Sequence, residues 1–406
     1  MSIRIGVCGA GAFAQSFIRL FQAHPLVDEV VLADLIPERV EASARQFGVT
    51  RTYSSLEELC ESDVDAIAIL TQRQLHGPQA IQSLKAGKHV YSAVPIGQTL
   101  EEVQAIVKMV EETNLIYMMG ETSYYYPCSI YCRERFRKGD FGEAVYGEAQ
   151  YFHDMSHFYE PFQRSGGKEW KQVAGIPPMH YPTHSVSMIV SVTGAHAVSV
   201  SCLGFRDSHE DGIFQVGANL WDNVFSNEVA LMEMSDGSSA RISEFRRIGC
   251  VGKSSVLMSL YGTLGSYEEN TISQAWATNN RQDLTDLSEL LTCGKQPVDP
   301  SRSDEDSVVL EEFYSGVSKV HPLKRLPREY AGLPNGHQGS HQYLADDFVK
   351  ALATGTLPPN HVWAAARYCI PGLVAHQSAE CNGKRLAIPD LGNPPEHWEM
   401  LDPEKV

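Results

Sequence analysis

Short runs of consecutive apolar residues, each followed by helical spacing, fill the first third of the chain. The opening strand starts at Ile3, and EVVLA (Glu29–Ala33), VDAIAIL (Val64–Leu70), KHVYS (Lys88–Ser92) and LIYMMG (Leu115–Gly120) follow. Between them lie helical patterns to about His24, over Pro37–Phe47, over His76–Ala86 with a stop at Gly87, and from an N-cap at Thr99 through Glu112. Glu102, three residues past Thr99, completes a capping box. Apolar strands separated by crossover helices predict a parallel, doubly wound sheet.

The pattern changes near Glu121–Pro127, which sets expected domains at 1–123 and 124–406. After a helix over Cys128–Lys138, strands dominate: Ala144–Phe152, Ala197–Phe205, Ile213–Trp221, Glu228–Met234, Ala240–Phe245 and Val256–Tyr261. SDG at Ser235–Gly237 and GTLG at Gly262–Gly265 read as hairpin turns. This half should be an antiparallel sheet with flanking helices. Ser273–Pro300 is polar and poorly periodic and reads as a long loop, while Ser340–Ala353 and His361–Ala379 are helical.

The first turn carries chemistry. In IRIGVCGAGAFA, Gly9, Gly11 and Ala14 fill G-x-G-x-x-G/A between a strand and a helix, with Ala12 and Phe13 in the variable places. The first glycine permits the tight turn, the second lets backbone approach a pyrophosphate, and the small third residue lets helix and strand pack closely. The N–H groups at the helix start then face phosphates. Asp34 ends the second strand 20 positions after Ala14, where a ribose-binding acid is expected. A carboxylate there accepts ribose hydroxyls and repels a 2′-phosphate, so NAD is favoured over NADP; Arg39, one helical turn on, works against that preference.

Composition narrows the partners. The chain has 406 residues, enough for two domains, and its 43% hydrophobic content is ordinary for a globular protein. A net charge of −17 argues against nucleic acid or an anionic membrane as partner. The 9 cysteines are scattered with no C-x-x-C pair, which suggests reduced thiols in a cytoplasm. A strand starting at Ile3 leaves no room for a signal peptide, and no apolar run is long enough to span a membrane.

Over nearly its whole length the sequence resembles the Gfo/Idh/MocA family of glucose–fructose oxidoreductase, inositol dehydrogenase and relatives. Gly9–Ala14 and the Asp34-x-x-Pro37-Glu38-Arg39 string fit its cofactor loop, and Thr71, His76 and AGKHV (Ala86–Val90) fit its third and fourth strand ends. The family E-K-P signature falls at Ala93-Val94-Pro95, and its G-x-x-x-x-D-x-x-x-H signature at GIPPMHYPTH, Gly175–His184. The resemblance implies an N-terminal Rossmann domain holding NAD. It also implies a C-terminal α+β domain with an open, largely antiparallel sheet, used for substrate and often for oligomerisation, so a dimer or tetramer is expected. C-terminal helices at about 340–380 should pack back toward the first domain. Gly9, Gly11, Ala12, Phe13, Ala14, Asp34, Arg39, Thr71, His76, Ala93 and Pro95 become candidate NAD contacts.

Two positions depart from the family. Val94 replaces a lysine that in relatives touches the reacting hydroxyl, and valine cannot exchange a proton. His180 replaces the aspartate, while the histidine is kept as His184. The local Y-P-T-H string, Tyr181–His184, is similar to that of NAD-dependent α-N-acetylgalactosaminidases and related redox glycosidases, which also lack the lysine. In those, a sugar hydroxyl is oxidised, the leaving group is eliminated, water adds and hydride returns, outside the paired-carboxylate scheme.

His184 is the leading proton-transfer candidate, since imidazole exchanges protons near neutral pH; Tyr181, His180 and Tyr125 are helpers. His153 and Asp154 can hydrogen-bond sugar hydroxyls, and Tyr124 and Trp170 offer aromatic faces to sugar rings. No metal is expected, because the histidines of HDMSHF lack a helical H-E-x-x-H setting. Glu244 and Arg246 in SEFRR share one strand face, which either reaches the site or, the reading preferred, is solvated. Three functions stay open: a sugar or cyclic-polyol dehydrogenase, a redox-neutral glycosidase or lyase, and a non-catalytic NAD-bound sensor or scaffold.

Overall fold

A computed structural model describes residues 2–249, 255–280, 282–294 and 316–402. The chain divides into two compact units. The first comprises Met1–Ile130, Leu290–Ala366 and Leu391–Val406, and the second Tyr131–Glu289 and Arg367–Asp390.

In the first unit, β1 (Ile3–Cys8), β2 (Val27–Ala33), β3 (Thr52–Tyr53), β4 (Ala66–Ile69), β5 (His89–Ser92) and β6 (Tyr117–Met119) form a parallel sheet in the order β3-β2-β1-β4-β5-β6. The crossovers are α1 (Ala12–Ala23), α2 (Pro37–Phe47), α3 (Leu56–Glu61), α4 (His76–Lys85) and α5 (Leu100–Thr113). β1 and β4 are almost wholly buried, as their unbroken apolar runs require of strands covered on both faces. β1 lies between β2 and β4, with Cys8 level with Ala33 on one side and Ile69 on the other. Strand order reverses here, which opens a crevice at the carboxyl ends of β1 and β4. Thr99 caps α5 as predicted, accepting the Glu102 N–H at 3.1 Å, but Glu102 reaches back past the N-cap to the Gln98 N–H at 2.7 Å, so the box is not the reciprocal one.

The second unit holds α6 in part (Pro127–Arg137), β7 (Ala144–Phe152), α7 (Tyr159–Gly166), α8 (Trp170–Ala174) and α9 (Thr183–Thr193). Then come β8 (Ala197–Arg206), β9 (Phe225–Met234), β10 (Ser239–Phe245), β11 (Val256–Gly262), β12 (Gly265–Glu269), β13 (Gln274–Thr278) and β14 (Leu284–Asp286). With β15 (Leu386–Ala387) they make a nine-stranded sheet, β14-β13-β12-β11-β7-β10-β9-β8-β15, antiparallel except where β7 and β10 run parallel. β9 alternates as a half-buried strand should: Ala230, Met232 and Met234 face inward and Leu231 and Glu233 outward. Among the described residues after β14 lie α10 (Ser288–Leu291), α11 (His341–Thr354), preceded by a single turn at Gly336–Gly339, and α12 (Val362–Glu380). α11 belongs to the first unit, where Tyr343, Leu344 and Phe348 share a core with Phe17, Phe21 and Tyr91.

Two expectations are corrected. Ile213–Trp221 is not a strand but a series of bends and turns between β8 and β9. Gly212 and Gly217 take positive φ there, and the Asn219 amide satisfies the backbone of Ile213, Trp221 and Asn223 in place of a ladder. Ser273–Pro300 is not all loop, since β13, β14 and α10 lie within it; residues 281 and 295–300 are outside the described set. Trp276 anchors this edge, packing edge-on to Phe141 at 4.8 Å with the Arg135 guanidinium over its ring.

Candidate functional site

The crevice of the first unit is built from backbone. Gly9 sits at φ +96°, and a Cβ there would stand 2.7 Å from the Leu70 carbonyl oxygen, so only glycine fits. Gly11 is the N-cap of α1 with no side-chain cap, and nothing lies within 4 Å of where its Cβ would be. The N-terminus of α1, with no side-chain cap, suits a pyrophosphate. Ala14 is fully buried. Asp34 accepts the Ala10 N–H at 2.8 Å on one oxygen and the Ile36 N–H at 2.9 Å on the other. Each oxygen keeps a second lone pair for a ribose hydroxyl. Ile36, not Asp34, is the N-cap of α2, and Arg39 lies 3.7 Å from the Asp34 carboxylate. These residues fit a dinucleotide.

At the β4 and β5 ends, the His76 ring nitrogens face the carbonyls of Thr71 and Pro95, each at 3.1 Å. Burial pushes this imidazole down to about 4. His76 ties the two strand ends together, and the Thr71 hydroxyl is taken by Gln79. Ala93 and Val94 are buried before Pro95, and Val94 offers this turn only methyl groups. Phe13 packs edge-on to His337 and His341, at 5.7 and 5.5 Å.

Tyr125 is also in the first unit. Its hydroxyl meets Asp347 and, at 3.3 Å, Arg325; its ring stacks on Tyr343 at 5.0 Å; and Tyr124 packs against it. Burial holds its phenol well above the usual range.

In the second unit, the segment 178–185 runs through a short 3-10 turn, Pro178–His180, into α9. His184 lies buried in the first turn of α9, with the Tyr151 and Tyr181 rings each 5.4 Å away and steeply inclined to it. Tyr151 also contacts His153 at 5.1 Å. The structure thus gathers His184, Tyr181 and His153 around Tyr151. His180 is buried with its Nδ1 unpartnered, edge-on to His376 at 5.1 Å. Burial and the neighbouring His376 keep His180 well below the usual imidazole range. Asp154 instead caps the 155–158 turn, accepting the Ser156 N–H at 2.9 Å, and Trp170 packs on Tyr159 in a small apolar cluster with Ile213 and Phe214.

Glu244 and Arg246 correct the expectation of a solvated face, being 0% and 2% exposed. β10 is a central strand, and its inward face lies under α9 and the turn before it. Glu244 bonds the Ser185 hydroxyl and Arg246, the latter at 2.7 Å. Burial raises Glu244 to about 7, with Arg246, Ser185 and His184 pulling it back. Sequence reading passed over Tyr151, Glu228 and His376. Glu228 left a signal: a glutamate at an inward position of an alternating strand. Among the described residues, no three His, Cys, Asp or Glu side chains converge as metal ligands, and no helix is long and apolar enough to cross a membrane.

Residues 3–121 match the model of the Gfo/Idh/MocA oxidoreductase family, NAD-binding Rossmann fold. A glycosyl hydrolase family 109 protein of Streptomyces filamentosus is 23% identical over 96% of this chain and 77% of its own length. Glycosyl hydrolase family 109 protein 1 of Bacteroides fragilis strain YCH46 is 29% identical over 96% of this chain and 85% of its own. Levoglucosan dehydrogenase, solved with NADH and levoglucosan, shares the fold at a TM-score of 0.70 and 17% identity, covering 96% of this chain and all of that one at 100%. The likeness to the Gfo/Idh/MocA oxidoreductase family is thus carried by residues 3–121, the NAD-binding Rossmann domain.

Proposed function

We propose that this chain is an NAD-dependent oxidoreductase acting on a hydroxyl of a sugar or cyclic polyol, with His184 as its proton-transfer group. What carries the reading is the presence, in one chain, of the glycine loop with Asp34 and of a buried, tyrosine-lined histidine at the start of α9. Gly9, Gly11 and the α1 N-terminus hold the pyrophosphate, and Asp34 holds the ribose. Ala12, Phe13, Ala14, Arg39, Thr71, His76, Ala93 and Pro95 line or brace that site. Bound NAD supplies a two-electron acceptor for a carbinol C–H. His184 takes the hydroxyl proton, and Tyr181 hydrogen-bonds the substrate beside it. His180, kept neutral, offers a ring nitrogen to a sugar hydroxyl, with His153, Asp154, Tyr124 and Trp170 as further sugar contacts. Tyr125 braces the first unit through Asp347 and Arg325.

A second reading, redox-neutral cleavage of a glycoside with NAD retained, is favoured by Val94 at the lysine position and by the two family 109 relatives spanning 96% of the chain. One experiment separates the readings. The purified protein is incubated with free sugars and nitrophenyl glycosides in deuterated water, with and without added NAD⁺. Stoichiometric NADH supports the dehydrogenase. Aglycone release with deuterium at C2 and no net NADH supports the glycosidase. No turnover while NAD stays bound overturns both in favour of a sensor or scaffold.

A further inference from the structure

Two acids lie side by side under the 178–185 segment. Glu228 on β9 pairs with Glu244 on β10, and Glu244 pairs in turn with Tyr151 on β7, so all three project to one face of the sheet. Both carboxyls are 0% exposed. On β9 the inward neighbours are Ala230, Met232 and Met234, and a core of that kind gains nothing from a buried acid.

Their partners explain them. Glu228 accepts the Met179 N–H at 2.8 Å and meets His376 Nδ1 at 2.8 Å. Glu244 bonds the Ser185 hydroxyl and Arg246. Arg246 also donates to the Pro178 carbonyl at 3.3 Å and lies over the Tyr151 ring at 4.7 Å, the same ring that touches His184. Three grips therefore hold the segment, at Pro178, Met179 and Ser185, and His180, Tyr181 and His184 lie between them.

We propose that Glu228 and Glu244 are positioning residues that clamp the two ends of this segment and thereby fix His184 and its neighbours. The proposal rests on the reading of His184 given above. Two acids face two basic groups, Arg246 and His376, so the layer is close to neutral. Burial, the largest single influence, opposes charge on His376, but the Glu228 hydrogen bond and the charges of Glu228 and Glu380 together outweigh it and raise its affinity for a proton. The groups against Glu244 are Arg246 just past the end of its own strand, Glu228 from β9, Tyr151 from β7, and Ser185 and His184 from α9.

The test uses the full chain with its NAD and whichever panel substrate turns over. Glu244→Gln keeps the side-chain shape, Ser185→Ala removes only the hydroxyl, and Ser185→Thr keeps a hydroxyl as rescue. A loosened clamp lowers kcat roughly 10- to 100-fold in the first two, since small misplacements of a reacting group cost that much. KM and NAD retention change by less than about threefold, and Ser185→Thr recovers most of the loss. A substrate-free arm follows the Glu244 carboxyl by carbon NMR in labelled protein: it titrates near pH 7 and moves upward in His184→Ala. Parent kcat in both Glu244→Gln and Ser185→Ala beside an inactive His184→Ala overturns the clamp alone, as does a Glu244 titration that ignores His184→Ala. Parent turnover in His184→Ala overturns the reading of His184 itself.

Discussion

The turn after β1 and the segment 178–185 are held in shape by opposite means. The first works through backbone: a glycine at φ +96°, an open N-cap, and a carboxylate that clasps the loop through the Ala10 N–H. The second works through side chains from distant strands and a helix, with Tyr151, Glu228, Glu244, Arg246 and His376 converging on eight residues. A backbone site is written in a dozen consecutive letters. A side-chain site is written across the chain and assembles only when the sheet does.

The largest effect should come from the side-chain site. His184→Ala should cut turnover by a factor of about 10² to 10⁴, the usual worth of a proton-transfer group, while NAD stays bound in equilibrium dialysis. Normal turnover would remove His184 from the chemistry. Gly9→Ala should do the reverse, losing NAD at the backbone site. Its positive φ and its 2.7 Å approach to Leu70 should also lower stability by about 1–3 kcal/mol in chemical denaturation; an unchanged midpoint would refute the strain.

Single buried groups of the two units should also answer pH with opposite sign, His76 and His321 against Glu244, while His180 in the second unit follows the histidines. In the first unit, His76 and His321 are held down to about 4, mainly by burial. Their native forms bind fewer protons than the unfolded chain, so stability is intact above about pH 6.5 and falls as pH drops toward 4, by up to about 3 kcal/mol for each. In the second unit, burial raises Glu244 to about 7, so its contribution is intact below the usual carboxylate range and fades as pH rises through 7. Hydrogen exchange resolved by peptide should show first-unit peptides losing protection toward acid and β10 peptides toward neutrality; a uniform response would erase the contrast. The smallest effect is local: Thr99→Ala should cost about 1 kcal/mol by removing the α5 cap.

How much was legible follows from the same contrast. Five of the six parallel strands could be read because each is a self-contained apolar run and their helices carry punctuation, as at Thr99; β3, two residues long, and the short α3 were missed because neither has such a run. The bends at Ile213–Trp221 were misread because apolar spacing there mimics a strand, whereas Asn219, a single side chain, replaces the ladder. The hairpin β13–β14 was missed because an edge strand with one buried tryptophan has little hydrophobic signal. The string M-H-Y-P-T-H was legible as a motif, but its supports were not, since Glu228 contacts Met179 from 49 residues away. Glu244 was visible yet misjudged, because burial of a charged residue depends on which strand becomes central.

The first unit has a further consequence for biosynthesis. Its core joins Phe17, Phe21 and Tyr91 to Tyr343, Leu344 and Phe348, and even Leu401 near the far end is buried in it. A ribosome therefore releases the glycine loop long before the residues that complete the hydrophobic interior around it. Until α11 has emerged, the nascent Rossmann sheet carries an uncovered apolar flank. Truncating the chain before α11 would leave a cofactor motif with perfect spelling and no finished domain to hold it.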